Sequence, residues 1–129
     1  MSEDADIGGA GGQSVWGLIV FQKAYRLALD VHRAAQKFPT HERFELTSQL
    51  RRSSKGICAN LAEGRGRQQG SATEFRRYVL MAPGSTDETL LWCRFAKDLG
   101  YLSAEQHDNF ERGYAEVARM LNGLISRLR

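Results

Sequence analysis

The feature that most constrains the fold is the spacing of apolar and small residues, which alternates between four and three positions in four segments of the chain. This spacing lines up the residues on one side of an α-helix and is typical of helices that pack against one another. The four seams contain Val20, Ala24, Leu27, Val31, Ala34 and Phe38; Leu46, Leu50, Ser54 (or Ser53), Ile57 and Leu61; Phe75, Val79, Ala82, Thr86, Thr89, Cys93 and Ala96; and Phe110, Tyr114, Val117, Leu121, Leu124 and Leu128. Because the connections are short, the sequence predicts an all-α protein, an antiparallel, up-down-up-down, left-handed four-helix bundle.

Proline and glycine residues set the predicted ends of the first two helices. Pro39 ends the first helix, because the residue before a proline is pushed out of the α region. Thr40 can then cap the second helix, with Glu42 and Glu45 favourably placed near its N-terminus. The second helix is expected to end around Gly64 to Gly66, since glycine suits the position after a helix.

Capping sequences also set the ends of the third and fourth helices. The S-x-x-E sequence at 71–74 and the S-x-x-Q sequence at 103–106 are capping boxes that begin them, and Gly100 follows the third. Pro83 lies midway along the third helix, where it removes a hydrogen bond and clashes with the preceding turn. The sequence therefore predicts a kink or a short break near 80–84.

The remaining sequence predicts one domain at residues 14–129, after a disordered acidic and glycine-rich tail at 1–13. That tail lacks the basic and apolar regions of a signal peptide. The longest apolar run, residues 15–21, is far shorter than the ~20 residues that cross a bilayer. We therefore expect a cytoplasmic protein without a membrane partner.

Small and aromatic residues also occur away from the core seams, where a monomeric bundle would be polar. Extra apolar and small-residue surface is typical of protein–protein contacts. The sequence thus predicts a homo-oligomer, although irregular packing inside one domain would bury the same residues. The candidate interface residues are Gly56, Ala59, Glu63, Tyr78, Glu88 and Trp92.

The positive charge is concentrated in the middle of the chain. Residues 43–77 hold eight basic and three acidic residues, whereas residues 87–129 hold six basic and seven acidic ones. Such a field attracts anionic partners, and phosphates above all. The candidate nucleic-acid-binding residues are Arg51, Arg52, Lys55, Arg65, Arg67, Arg76 and Arg77. We expect them to merge into one patch where the second helix meets the third, unless they are solvated charges with local partners such as Glu63 and Glu74.

Residue sets that carry catalysis are absent from the sequence. His32, His41 and His107 lie in different segments without metal-ligand spacing, and no nucleophile or phosphate-binding motif occurs. Cys58 and Cys93 fit neither a disulfide framework nor a zinc site, and we expect two buried free thiols. The sequence predicts a protein that is not an enzyme and has no cofactor or metal.

Several motifs together resemble a known family. They are F-P at 38–39, ELTSQLRRSSKGICANLAEGRGR at 45–67, EFRRYVLMAPGSTDE at 74–88 and LGYL at 99–102. In this order they resemble the small bacterial four-helix bundle proteins encoded in intervening sequences of 23S ribosomal RNA genes, over about residues 20–129. The same family includes the accessory variability protein of diversity-generating retroelements, a homopentamer thought to bind nucleic acid and a reverse transcriptase.

The resemblance implies an up-down bundle, a pentameric ring and no catalysis, and it suggests RNA or DNA as the partner. Pro83 departs from the family pattern, in which a helix-compatible and commonly basic residue precedes G-S. An alternative function is an oligomeric interaction scaffold or accessory subunit without direct nucleic-acid binding. Arg51 and Arg52 would then pair with Glu63 or Glu88 across an interface with a second copy or another protein.

Overall fold

A computed structural model describes residues 14–67 and 71–128, and all regular structure in these ranges is helical. The five α-helices are α1 (Ile19–Ala35), α2 (Leu46–Arg67), α3 (Ala72–Val79), α4 (Ala82–Asp98) and α5 (Ala104–Arg127). Short 3-10 helices occur at Val15–Gly17 and Thr40–Glu42. The predicted disordered tail at 1–13 lies outside the described residues. No helix in the described ranges is long and apolar enough to span a bilayer.

The helices pack as a bundle around one apolar core. α2 packs against α1, α3 and α4, while α5 packs against α1 and α4, so that α1, α2, α4 and α5 surround the core. The predicted seams of the second, third and fourth segments are buried throughout. In α1 the prediction was partly wrong, because Ala28 and Ala35 are buried whereas Leu27 and Ala34 are only partly buried. The buried residues Val20, Ala24 and Ala28 are separated by two successive intervals of four. The buried face of α1 is therefore shifted by one position from the predicted one.

The third predicted helix is interrupted before Pro83, as the sequence predicted. α3 ends at Val79 and α4 begins at Ala82, which makes Pro83 the second residue of the new helix. A proline there is tolerated, because the first N–H groups of a helix have no partner within the helix. The chain passes from α3 to α4 without a long loop.

The start of the second helix was predicted wrongly. Thr40 does not cap it; Thr40–Glu42 forms a 3-10 helix and α2 begins only at Leu46. Glu42 is only 9% exposed and accepts a 2.8 Å hydrogen bond from the Tyr101 hydroxyl. This contact with a residue far along the chain favours the 3-10 turn over an earlier helix start.

The starts of α3 and α5 and the end of α4 follow the predicted chemistry. The end of α1 does not, because this helix ends at Ala35, before the boundary predicted at Phe38 and Pro39. Ser71 and Ser103 cap α3 and α5 with their hydroxyl oxygens, and Ser103 forms the full capping box with Gln106. Gly100 follows α4 with φ +84°, the left-handed conformation that glycine adopts at low cost. Gly64 and Gly66, by contrast, lie inside α2, which continues to Arg67.

Candidate nucleic-acid interface

The basic residues of α2 lie in two groups near opposite ends of the helix. Arg51, Arg52 and Lys55 lie in its first half, and Arg65 and Arg67 lie in its last turn. At 1.5 Å per residue, Arg51 and Arg67 are about 24 Å apart along the helix axis. The expectation of one merged patch was therefore wrong.

Two members of the first group, Arg51 and Lys55, face grooves between α1 and α2, whereas Arg52 is exposed and lines neither groove. Lys55 lines a groove of about 340 Å³ together with Tyr25, Leu29 and His32 of α1. Farther along the same pair of helices, Arg51 lines a second groove together with Arg43. We call Arg43, Arg51 and Lys55, with His32, the α1–α2 basic surface.

Charges on the α1–α2 basic surface are not balanced by acids. Within residues 14–67 and 71–128, Arg43, Arg51 and Lys55 form no ion pair, nor does the neighbouring Arg52, and the Nε of Arg51 is buried without a hydrogen-bond partner. The pKa of His32 is lowered, first by its partial burial and then by the positive charges of Arg51, Lys55 and Arg33. Burial is the largest cause, and the three positive charges add to it in the same direction.

Arg67 of the second group and Arg77 of α3 surround an aromatic ring where α2 meets α3. The guanidinium carbons of Arg67 and Arg77 lie 5.4 and 4.9 Å from the centre of the Tyr78 ring. Arg67 also pairs with Glu63 at 3.0 Å, and Arg77 pairs with Glu74 at 3.2 Å. The hydrogen bond from Arg67 to Glu63 is the largest cause of the raised pKa of Arg67. These arginines have the local acidic partners that the alternative interpretation expected.

Arg65 does not join either surface, which corrects its prediction as a phosphate contact. It is only 5% exposed, and its guanidinium carbon lies 5.6 Å from the centre of the Phe75 ring. The reason is its position four residues after Leu61, which continues the buried seam of α2. Arg76 is half-buried, and its Nε is buried without a hydrogen-bond partner among the described residues.

The predicted interface residues lie in several environments. Ala59, Glu63 and Glu88 are exposed, whereas a Cβ added at Gly56 would lie 3.2 Å from the Ser85 hydroxyl of the same chain. Gly56 therefore permits a close approach of α4 to α2. Tyr78 belongs to the arginine cluster described above.

Trp92 lies beside an exposed apolar groove between the start of α2 and the end of α4. Its ring contacts Phe95, and its Nε1 is buried without a hydrogen-bond partner in the described part of the chain. Phe44, Phe95 and Leu99 line the same groove and are 84%, 49% and 54% exposed. These four side chains form what we call the Trp92 groove.

Sequence reasoning missed Arg43, His32 and Phe44 as members of these surfaces. Arg43 and Phe44 lie in the connection before α2, where no helical periodicity predicts which way a side chain points. His32 follows Val31, a seam residue of α1, and this adjacency signals that its ring lies near the edge of the core. None of these three residues could be assigned to a surface from the sequence before the helices were placed side by side.

Comparisons with known proteins give one family. The family model of 23S rRNA-intervening sequence proteins matches residues 17–123. A crystal structure from Bacteroides thetaiotaomicron, described as a protein of unknown function from the S23 ribosomal protein family, has a similar fold with a TM-score of 0.74. It is 22% identical in sequence, and the match covers 83% of this chain and 98% of that one. No curated protein matches this chain.

Proposed function

The chain belongs to the 23S rRNA-intervening sequence protein family, and from this premise we propose that it binds RNA or DNA through the α1–α2 basic surface without catalysing a reaction. The observation that carries the proposal is the uncompensated charge of Arg51 and Lys55 beside His32 along the grooves between α1 and α2. Phosphates would neutralise these side chains and release condensed counterions from the nucleic acid.

The proposed architecture is an antiparallel, left-handed bundle with up-down-up-down order, assembled into a homopentamer. Contacts between α2 and the α3–α4 pair support the antiparallel order, because Ser53 meets Thr89 whereas the later Gly64 lies beside the earlier Tyr78. In a closed ring each basic surface would recur around the axis, so one nucleic acid would contact several copies. The proposed five-fold number rests on the family resemblance.

Fluorescence anisotropy across a salt series tests the proposal. Labelled structured RNA and duplex DNA are titrated with the protein, after light scattering has fixed its subunit count. We expect a linear fall of the logarithm of affinity with the logarithm of salt concentration, with a slope set by the number of neutralised phosphates. The variant Arg51→Gln/Lys55→Gln should flatten that slope by roughly 0.9 for each phosphate of duplex DNA that it leaves without a cationic side chain.

The matched control is Arg67→Gln/Arg77→Gln, which removes two charges that already have acidic partners. It removes the same number of charges and should change affinity and slope less than Arg51→Gln/Lys55→Gln does. NMR titration of His32 gives a second readout, because phosphates beside Arg51 and Lys55 would offset their charge and raise the pKa of the imidazole. Equal losses of affinity in the two variants would reject the α1–α2 basic surface as the binding site. A His32 pKa that stays unchanged in saturating RNA would also reject it.

The Trp92 groove favours a second function, that of an oligomeric interaction scaffold. Its exposed aromatic and aliphatic side chains have the composition of an interface core. A second copy or another protein seated there would bury Phe95 and Leu99 and the edge of Trp92.

The Trp92 groove variant Phe95→Asp/Leu99→Asp tests this function, with Leu29→Asp, in the groove between α1 and α2, as a control at another exposed apolar position. We expect only the groove variant to lower the mass seen by light scattering while the helical circular dichroism is retained. An unchanged mass in the groove variant would show that the subunits of any oligomer associate through another face.

A further inference from the structure

His107 combines deep burial with an unused nitrogen in the first turn of α5. The residue is 2% exposed, and its Nδ1 has no hydrogen-bond partner among the described residues. The nearest acidic atoms are Glu111 Oε1 at 3.7 Å and Asp108 Oδ1 at 4.0 Å. A buried polar atom without a hydrogen-bond partner costs free energy. The position of the His107 Nδ1 near two carboxylates therefore requires an explanation.

The spacing of the three side chains brings their ligand atoms together. His107 and Glu111 are four positions apart and lie on one face of α5, and Asp108 flanks them. The three candidate atoms all lie within 4.8 Å of one another. The carboxylate side chains are 59% and 55% exposed, so both can rotate toward a shared ion without disturbing the core.

These distances are close to those of a small metal site. Zinc binds imidazole nitrogen and carboxylate oxygen at about 2.0–2.2 Å, so tetrahedral ligand atoms are roughly 3.3 Å apart. The separations of 3.7 and 4.0 Å from Nδ1 need to shorten by less than about 1 Å, and the two carboxylate oxygens, which are at most 4.8 Å apart, by up to about 1.5 Å. One nitrogen with two oxygens suits zinc and similar first-row ions, whereas calcium and magnesium prefer sites made only of oxygen.

We propose that His107, Asp108 and Glu111 bind a divalent transition-metal ion of the zinc class, with water in the remaining position. This site revises the sequence-based expectation that no metal is bound. The expectation relied on pairs of histidines, whereas this site uses one histidine and two acids. It is independent of the proposed nucleic-acid binding, since none of its ligands belongs to the α1–α2 basic surface.

Cys93 lies near this site but does not act as a ligand. Its thiol is buried, and burial together with the charge of Glu111 raises its pKa to about 12. The group of ligand atoms that lie within 4.8 Å of one another consists of His107, Asp108 and Glu111 and does not include Cys93. The proposed ligand set is therefore nitrogen and oxygen without sulfur.

Calorimetric titration of the full-length, metal-free protein with zinc sulfate tests the site. We expect one ion per chain and a rise in melting temperature, because an ion that binds only the folded state stabilises it. Glu111→Gln and His107→Gln should each weaken zinc binding at least about tenfold, which is the loss seen when even the partners of metal ligands are removed. Glu105→Gln and His41→Gln, at exposed positions outside the cluster, are the matched controls.

Cobalt replaces zinc for a spectroscopic readout. We expect visible absorption typical of a nitrogen and oxygen environment, without a thiolate charge-transfer band, and its loss in Glu111→Gln. Because the Glu111 side chain is exposed, that variant should fold even if His107→Gln does not. Absence of zinc binding, a thiolate band, or unchanged affinity in a correctly folded Glu111→Gln variant would overturn the proposal.

Discussion

Replacing Gly64 with alanine should destabilise the protein even though alanine is the better helix former. Gly64 lies where the last turns of α2 meet α3. A Cβ at this position would lie 2.8 Å from Tyr78 Cβ, 3.0 Å from Phe75 Cδ1 and 3.2 Å from the Phe75 carbonyl oxygen. The Phe75 carbonyl oxygen is a backbone atom and Tyr78 Cβ is bonded directly to the backbone, so α3 itself would have to move.

Gly66, in the same helical turn, supplies the matched control, because a Cβ there would meet nothing within 4 Å. An alanine in place of a helical glycine gains about 0.5–1 kcal/mol, and less near a helix end. Overpacking at Gly64 opposes that gain and should lower the free energy of unfolding by about 1–3 kcal/mol. We therefore expect Gly64→Ala to be about 1–3 kcal/mol less stable than Gly66→Ala.

Gly113→Ala is an intermediate case. Its Cβ would lie 2.6 Å from Leu27 Cδ2, but that atom is the end of a flexible side chain. The expected order of stability is Gly66→Ala, then Gly113→Ala, then Gly64→Ala. Thermal unfolding followed by circular dichroism at one fixed protomer concentration measures this order, since association makes the midpoint depend on concentration. In a domain of this size the first and last variants should differ by roughly 3 °C or more. A Gly64→Ala variant that melts at or above the wild type would refute the argument.

Three further predictions concern buried polar groups and thiols. Thr89→Val removes a buried hydroxyl that lies 2.9 Å from a serine of α2, and should cost about 1–2 kcal/mol in urea unfolding. Burial raises the pKa of Cys58 to about 11 and of Cys93 to about 12, so both should react slowly with a thiol reagent at about pH 8 until the protein unfolds. The hydrogen bond to Glu42 raises the pKa of Tyr101, so its stabilisation is complete below pH ~10 and is lost as pH rises through the higher folded-state pKa. Urea unfolding across this range should therefore show a smaller fall in stability for Tyr101→Phe than for the wild type.

The core was predictable because burial follows from helix geometry. Positions such as Leu50, Val79 and Tyr114 repeat with the helical period, and each is fully buried. The same register also indicated that Arg65, four positions after Leu61, lies on the inner side of α2. Its charge led to the opposite prediction, although a long arginine side chain can pack its stem against an aromatic ring.

The features that sequence reasoning missed depend on contacts between distant segments. Thr40 has the chemistry of a helix cap, but the bond between Glu42 and Tyr101 joins residues 59 positions apart and favours a different local structure. His107 likewise shows no two-histidine metal motif. Its significance comes from burial and from the unused Nδ1, and only the folded structure reveals these.

Compensation by nearby acids, more than the number of basic residues, distinguishes the two ends of α2 as binding surfaces. A phosphate that approaches Arg67 must compete with Glu63, and part of the electrostatic gain is offset by the ion pair that weakens. At Arg51 and Lys55 no such pair exists in the described chain, and their positive charges add to the effect of burial in lowering the pKa of His32. A phosphate there relieves repulsion instead of breaking an attraction. For equal numbers of arginine and lysine residues, the α1–α2 basic surface should therefore contribute more to the affinity for a polyanion than the arginine cluster around Tyr78.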